Sequence, residues 1–189
     1  MKTYPTSKVI LVACVGALAS CAPKPETQRL PVSASLRPDS SLSEQVLREV
    51  NSYRRSHGAS QLQRHAGLDR LAREHSEYLR KNRGTFGLYG KNVSHIGFDG
   101  RALAARTNYQ MENLSENVAA ASDAGPNNAK NLLRVWRDSK AHDSNMRSTW
   151  NYTGIGIIID SDGTIFATQL FASMPNSQVG SLRERFNRF

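Results

Sequence analysis

Three polar side chains follow one another at equal steps in the run Trp136-Arg-Asp-Ser-Lys-Ala-His142-Asp-Ser-Asn145, namely Ser139, His142 and Asn145. Steps of three bring their polar groups to one side if the run is helical. A hydroxyl close to an imidazole hints at nucleophile and base, although spacing alone does not bring the oxygen to the ring. A second polar island lies upstream, Glu112-Asn-Leu-Ser-Glu116-Asn117, ahead of the small apolar run Val118-Ala-Ala-Ala121. On a strand Leu114, Glu116 and Val118 share one face, so Glu116 needs a cleft, a cation or a hydrogen-bond donor to be tolerated there. His95 stands in the glycine-rich stretch from Gly84 to Gly100, where packing gives it little reason to exist. His75 falls on the apolar stripe Leu68, Leu71, Ala72 and Leu79, and reads as a core-edge histidine hydrogen-bonded to backbone.

The elements that must position these groups are visible as periodicities. Ser41-Leu-Ser-Glu44 has the capping-box pattern, and Leu42, Val46, Leu47, Val50 and Tyr53 continue it as a helix that stops at Gly58. A second helix runs from about Leu68 to Asn82, then a glycine-rich loop leads to a short helix over Arg101 to Thr107. Met111 to Ala121 reads as a strand, and Asn128 to Asp138 as a helix with Leu132, Leu133 and Trp136 turned inward. Tyr152–Asp160 and Thr164–Ala172 form a hairpin around Ser161-Asp162-Gly163. Ile155, Ile157, Ile158 and Ile159 occupy both faces of one strand, as do Ile165, Phe166, Leu170 and Phe171 of the other. Strands apolar on both faces must be covered on both, which places the sheet between helical layers.

The first twenty residues read as an address. Lys2 and Lys8 precede the apolar run Val9 to Ala19, which is short for a membrane span, and Leu18-Ala19-Ser20-Cys21 resembles a bacterial lipobox with lipid on Cys21. Cys14 leaves with that segment, so no thiol pair remains and the exported domain is held by its core alone. Residues 21–40 carry Pro23, Pro25, Pro31 and Pro38 and read as a lipid anchor and tether. A domain over 41–175 and a basic tail over 176–189 complete the chain. Removing Lys2 and Lys8 lowers the formal charge from +9 to +7, which favours anionic surfaces. No aromatic-interleaved basic patch points to nucleic acid.

Taken in order, these pieces resemble the CAP (SCP-like) superfamily, in its bacterial lipoprotein branch. The matching segments are Asn51-x-x-Arg54 with Gly58, Leu68-x-x-x-Ala72-x-x-His75-Ser76, Ser94-His95, Ser115-Glu116-Asn117-Val118-Ala119, Trp136-x-x-Ser139-x-x-His142-x-x-Asn145, Gly154-Ile-Gly156 and Gln169-Leu-Phe171. The resemblance implies an α+β fold, a three-layer α-β-α sandwich with a mainly antiparallel central sheet. It also implies a cleft lined by His95, His142 and Glu116; Ser139 stands where related proteins outside bacteria carry a second glutamate. That trio suits a divalent cation, zinc above others, with water completing the shell. It lacks an HExxH helix, so no known metalloprotease pattern is present.

The expected function is an envelope binding module for lipid, glycan or cation, anchored to the bacterial membrane and facing the periplasm or exterior. One alternative is a metal-assisted hydrolase of wall material with His95, Glu116, His142 and Ser139 as its candidates. The other is a structural lipoprotein whose cleft has no function.

Overall fold

The computed structural model describes residues 39–83, 94–121 and 125–175. The address, Cys21, the tether up to residue 38, most of the glycine-rich loop and the basic tail lie outside them. Helix α1 (Asp39–Ser56) starts two residues ahead of the expected capping box, so Ser41 lies within the helix. The Glu44 carboxylate reaches out to Arg64 instead of back to the helix end. A two-residue strand β1 (Gln63–Arg64), which no periodicity announces, leads into α2 (Ala66–Lys81).

The short helix α3 (Phe98–Tyr109) is longer at both ends than its alanine run suggests and takes in the last glycine of the loop, Gly100. Then come β2 (Asn113–Ala121), α4 (Asn128–Arg137), α5 (Lys140–Arg147), β3 (Tyr152–Ile159) and β4 (Ile165–Ser173). The sheet order is β1-β3-β4-β2; β1 alone joins in parallel, and β2 is an edge strand. The hairpin turn is closed by Asp160 N–H on the Thr164 carbonyl at 2.8 Å, with Gly163 at φ 82°.

Each sheet face carries its own core. On one, Ala119, Ile155, Ile157, Ala167 and Phe171 meet Val46 and Val50 of α1, Leu132 and Trp136 of α4, and Met146 of α5. On the other, Leu170 and Ala172 meet Leu68, Leu71 and Ala72 of α2 and Ala105 of α3, while Val118 and Phe166 meet Leu79. The result is the expected α-β-α sandwich. Helix α2 lies close on β3 because Gly154 and Gly156 face it: a Cβ on either would stand 2.1 or 2.2 Å from α2 backbone atoms.

Two polar anchors of α1 hold the helix–strand connections. Asn51 donates to the Leu62 carbonyl at 3.1 Å and accepts from the Leu62 amide at 2.8 Å. Arg54, only 1% exposed, donates to the carbonyls of Ser60, Met146 and Ser148 and so ties α1 to the end of α5. Among the described residues no helix is long and apolar enough to cross a membrane.

Candidate functional site

The sheet edge at β2 is where both helical layers meet, and the polar islands converge there. Glu116 projects toward the α2–α3 side with 1% of its side chain exposed. Arg101, on α3, grips it with two parallel bonds, Nε to Oε2 at 2.7 Å and Nη2 to Oε1 at 2.8 Å. His95 adds a third, Nδ1 to Oε1 at 2.9 Å. A carboxylate only accepts, so His95 Nδ1 carries the hydrogen and, in the neutral ring, Nε2 is the bare nitrogen. The His95 side chain is 50% exposed.

His75 supports this arrangement from beneath. Its Nε2 donates to the Ser94 carbonyl at 2.9 Å, which pins the residue before His95, and lies 3.9 Å from Glu116 Oε1. The core-edge assignment with a backbone partner is therefore correct, and that backbone belongs to the site. Arg101 also donates to the Ile96 carbonyl at 2.9 Å, so one guanidinium holds both carboxylate and loop.

His142 comes from the opposite layer. Its α5 helix is fastened to β2 by Asn117 Nδ2 on the His142 carbonyl at 3.0 Å. Asn145 Nδ2 bonds Asn117 Oδ1 at 2.9 Å and the Glu116 carbonyl at 3.2 Å, and Trp150 Nε1 bonds the Asn145 carbonyl at 2.8 Å. The rings of His95 and His142 end with centroids 6.2 Å apart. His142 Nδ1 is buried and has no hydrogen-bond partner among the described residues.

The equal steps of the sequence divide here. His142 and Asn145 share a face of α5, whereas Ser139 precedes the helix and its side chain caps nothing. No described hydroxyl bonds His142 Nδ1, that of Ser139 included.

The electrostatics keep the cleft close to neutral. Burial pushes the Glu116 carboxyl up, but the His95 and Arg101 hydrogen bonds and the Arg101 charge outweigh it and hold it below the usual range. Burial depresses the His75 ring, with the Glu116 charge opposing. Burial, followed by the charge of His95, depresses His142. Both oxygens of Glu116 are engaged, and among the described residues no group of three His, Cys, Asp or Glu is set to hold a metal ion.

Sequence reasoning missed Arg101. The one signal was indirect: Glu116 between apolar neighbours demanded a cation, and Arg101 was present only as part of a nondescript helix. It also left unassigned the Asn117–Asn145 clasp, whose members lie 28 residues apart.

The chain matches the model of the cysteine-rich secretory protein (CAP) family over residues 47–171. No curated protein matches it. Among solved structures, an outer surface protein from Borrelia burgdorferi superposes with a TM-score of 0.60 at 15% identity, covering 74% of this chain and 97% of that one. An extracellular SCP-domain protein from Bacillus anthracis gives 0.53 at 21% identity, with 75% and 45% covered. A cysteine-rich secretory protein from Staphylococcus aureus gives 0.52 at 15%, with 75% and 41% covered. The chain thus spans less than half the length of the latter two. At such identities the likeness is one of fold.

Proposed function

The chain belongs to the cysteine-rich secretory protein (CAP) family, and from that premise we propose that it is an extracytoplasmic, lipid-anchored binding module of the cell envelope. Its ligand is polar and uncharged, with wall glycan the class that fits. The lipobox at Cys21, the proline-rich tether and the surface or extracellular location named for the Borrelia and Bacillus proteins support the placement.

The observation that carries the binding role is the locked state of Glu116. A general acid or base is poised near the working pH, usually by raising a carboxyl. Glu116 is instead held ionised, with both oxygens committed to Arg101 and one also to His95. It orients His95 and does not itself move protons. What faces a ligand is a half-exposed imidazole with a bare Nε2, opposite His142, above a carboxylate–guanidinium pair whose charges cancel. Such rings accept from and donate to hydroxyl groups without selecting for charge.

Zinc, which the three side-chain types suggested, would find the two rings alone, with Glu116 behind His95 in the manner of outer-shell carboxylates. Catalytic zinc sites use three protein ligands, so the set is one short and no step is routed through a metal. Nor does Ser139 offer the hydrolase alternative an activated hydroxyl, since among the described residues His142 Nδ1 has no bond to it.

Incubation of the purified chain, carrying Cys21→Ala so that no lipid anchors it, with isolated cell-wall sacculi tests the proposal. Retention without released fragments is expected, and His95→Ala with His142→Ala should lower it at least about tenfold, the loss of two hydrogen bonds of roughly 1 kcal/mol each. Release of soluble fragments would replace the binding role with hydrolysis. Absence of both retention and release would leave the cleft without a wall ligand.

A further inference from the structure

The basic residues of this protein are unevenly paired. Many meet acids: Arg64 with Glu44 and Asp69, Arg80 and Lys81 with Glu77, Arg83 with Asp160 and Asp162, and Arg147 with Asp143. The α4 surface differs. Helix α4, with the sequence NAKNLLRVWR, has no acidic residue at all. Its inner stripe of Ala129, Leu132 and Trp136 is buried in the core, which turns Lys130, Arg134 and Arg137 outward along one exposed line.

Lys140, at the start of α5, follows three residues after Arg137 and is also exposed. None of the described residues forms an ion pair with any of these four cations, and Asp138 is the one acid between them. Val135 lies among them, 38% exposed.

We propose that this α4–α5 face rests on a bilayer of anionic lipid, with Lys130, Arg134, Arg137 and Lys140 set against headgroup phosphates. Three unpaired cations along α4 and a fourth at the start of α5, with one acid among them, form a local positive field. An anionic headgroup layer is the extended, planar complement of such a line, and Val135 gives it an apolar point of entry. The field extends about one Debye length, roughly 10 Å at 0.1 M salt, so it acts only on a surface already close by. The face lies in the helical layer opposite α3 and the loop before it that carries His95, so docking there orients the domain without using the Glu116 and His95 side of the cleft.

The full chain carrying Cys21→Ala, mixed with phosphatidylcholine vesicles with or without phosphatidylglycerol, provides the test by flotation. The protein should float with anionic vesicles in low salt and be released from them in high salt, and should ignore the neutral ones. Each charge near the bilayer is worth roughly fivefold in binding, so Lys130→Gln with Arg134→Gln should weaken it on the order of 25-fold. Arg80→Gln with Arg83→Gln, at ion-paired positions, should leave flotation within about twofold of the parent, since those charges are already spent on acids. His95→Ala with His142→Ala should float like the parent, which keeps this proposal separable from that of the cleft. Equal capture by neutral and anionic vesicles would overturn it, as would full capture of the Lys130/Arg134 variant. Loss of sacculus retention in that variant, with no vesicle capture of the parent, would overturn it in favour of an anionic wall polymer.

Discussion

Glu116 keeps its charge where almost no water reaches it, and one neighbour, Arg101, supplies the opposite charge beside it. Arg101 is 11% exposed in its side chain and supplies two of the three hydrogen bonds to the carboxylate. Removing one partner of a buried pair leaves an uncompensated charge and costs about 3–5 kcal/mol, whereas replacing both by apolar groups of similar size is often close to neutral. Arg101→Ala should therefore lower stability by about that amount in urea denaturation, and Arg101→Met with Glu116→Leu should recover most of it. A double variant no more stable than the single one would show that Arg101 acts through packing and not through charge. The need for a partner was legible from Glu116 alone, because a carboxylate between Leu114 and Val118 cannot stay unpaired. Its identity was not, since Arg101 arrives from another element after a turn that no side-chain pattern records. His75 shows the same limit: the apolar stripe places it in the core, but only the folded loop places Ser94 above it.

At the scale of elements, the position of α2 on the sheet depends on two missing side chains. A Cβ at Gly154 would meet the Leu68 carbonyl carbon at 2.1 Å, and one at Gly156 would meet the Arg73 amide nitrogen at 2.2 Å. Both obstacles are backbone within a helix, so neither can swing aside. Gly156→Ala should lift α2 from β3 and cost about 1–3 kcal/mol or more by overpacking. Gly100→Ala is the control: it lies within α3 with no atom within 4 Å of its Cβ position and should gain up to about 1 kcal/mol. Thermal melts of the two variants that moved together would contradict the close-approach argument. The hairpin and the main helices could be read from periodicity because long apolar stripes survive folding. Strand β1 could not, since two residues carry no period, and α5 was open to question because its inward side holds Met146 alone as a buried apolar residue. The extra turn of α3 was hidden for a related reason. Its apolar residues have no helical face: Ala105 is buried while Leu103 is 66% exposed.

Over the whole molecule the three layers were legible from β3 and β4, whose apolar residues on both faces require two covers. The pH response follows from what those covers bury. His65 caps α2 by accepting the Leu68 amide on Nδ1 at 3.4 Å, which only a ring unprotonated at that nitrogen can do. Burial is the first cause lowering the pKa of His65, His75 and His142, opposed at His65 by Asp69 and at His75 by Glu116, and helped at His142 by His95. Each is therefore depressed relative to the ordinary histidine value near 6.5 that the unfolded chain retains. Between the two values the unfolded chain binds the proton and the folded one does not, so stability rises with pH in that window. The contribution is complete above about pH 6.5 and is lost as pH falls through the folded values, with a slope of about 1.4 kcal/mol per pH unit for each proton fully in play. Asp69, raised by burial against the opposing bonds of Ile155 and Arg64, acts with the reverse sign. Glu116, held below its usual range, has the same sign as the histidines and loses its contribution only in stronger acid. Urea midpoints should thus be level from pH 8 to about 7 and fall steadily toward pH 5. His75→Gln, which removes one titrating ring but can still donate to the Ser94 carbonyl, should reduce the slope while leaving the plateau near its parent value. A midpoint flat between pH 7 and 5 would mean that the buried rings titrate alike in the folded and unfolded chains; an unchanged slope in His75→Gln would remove His75 from the set.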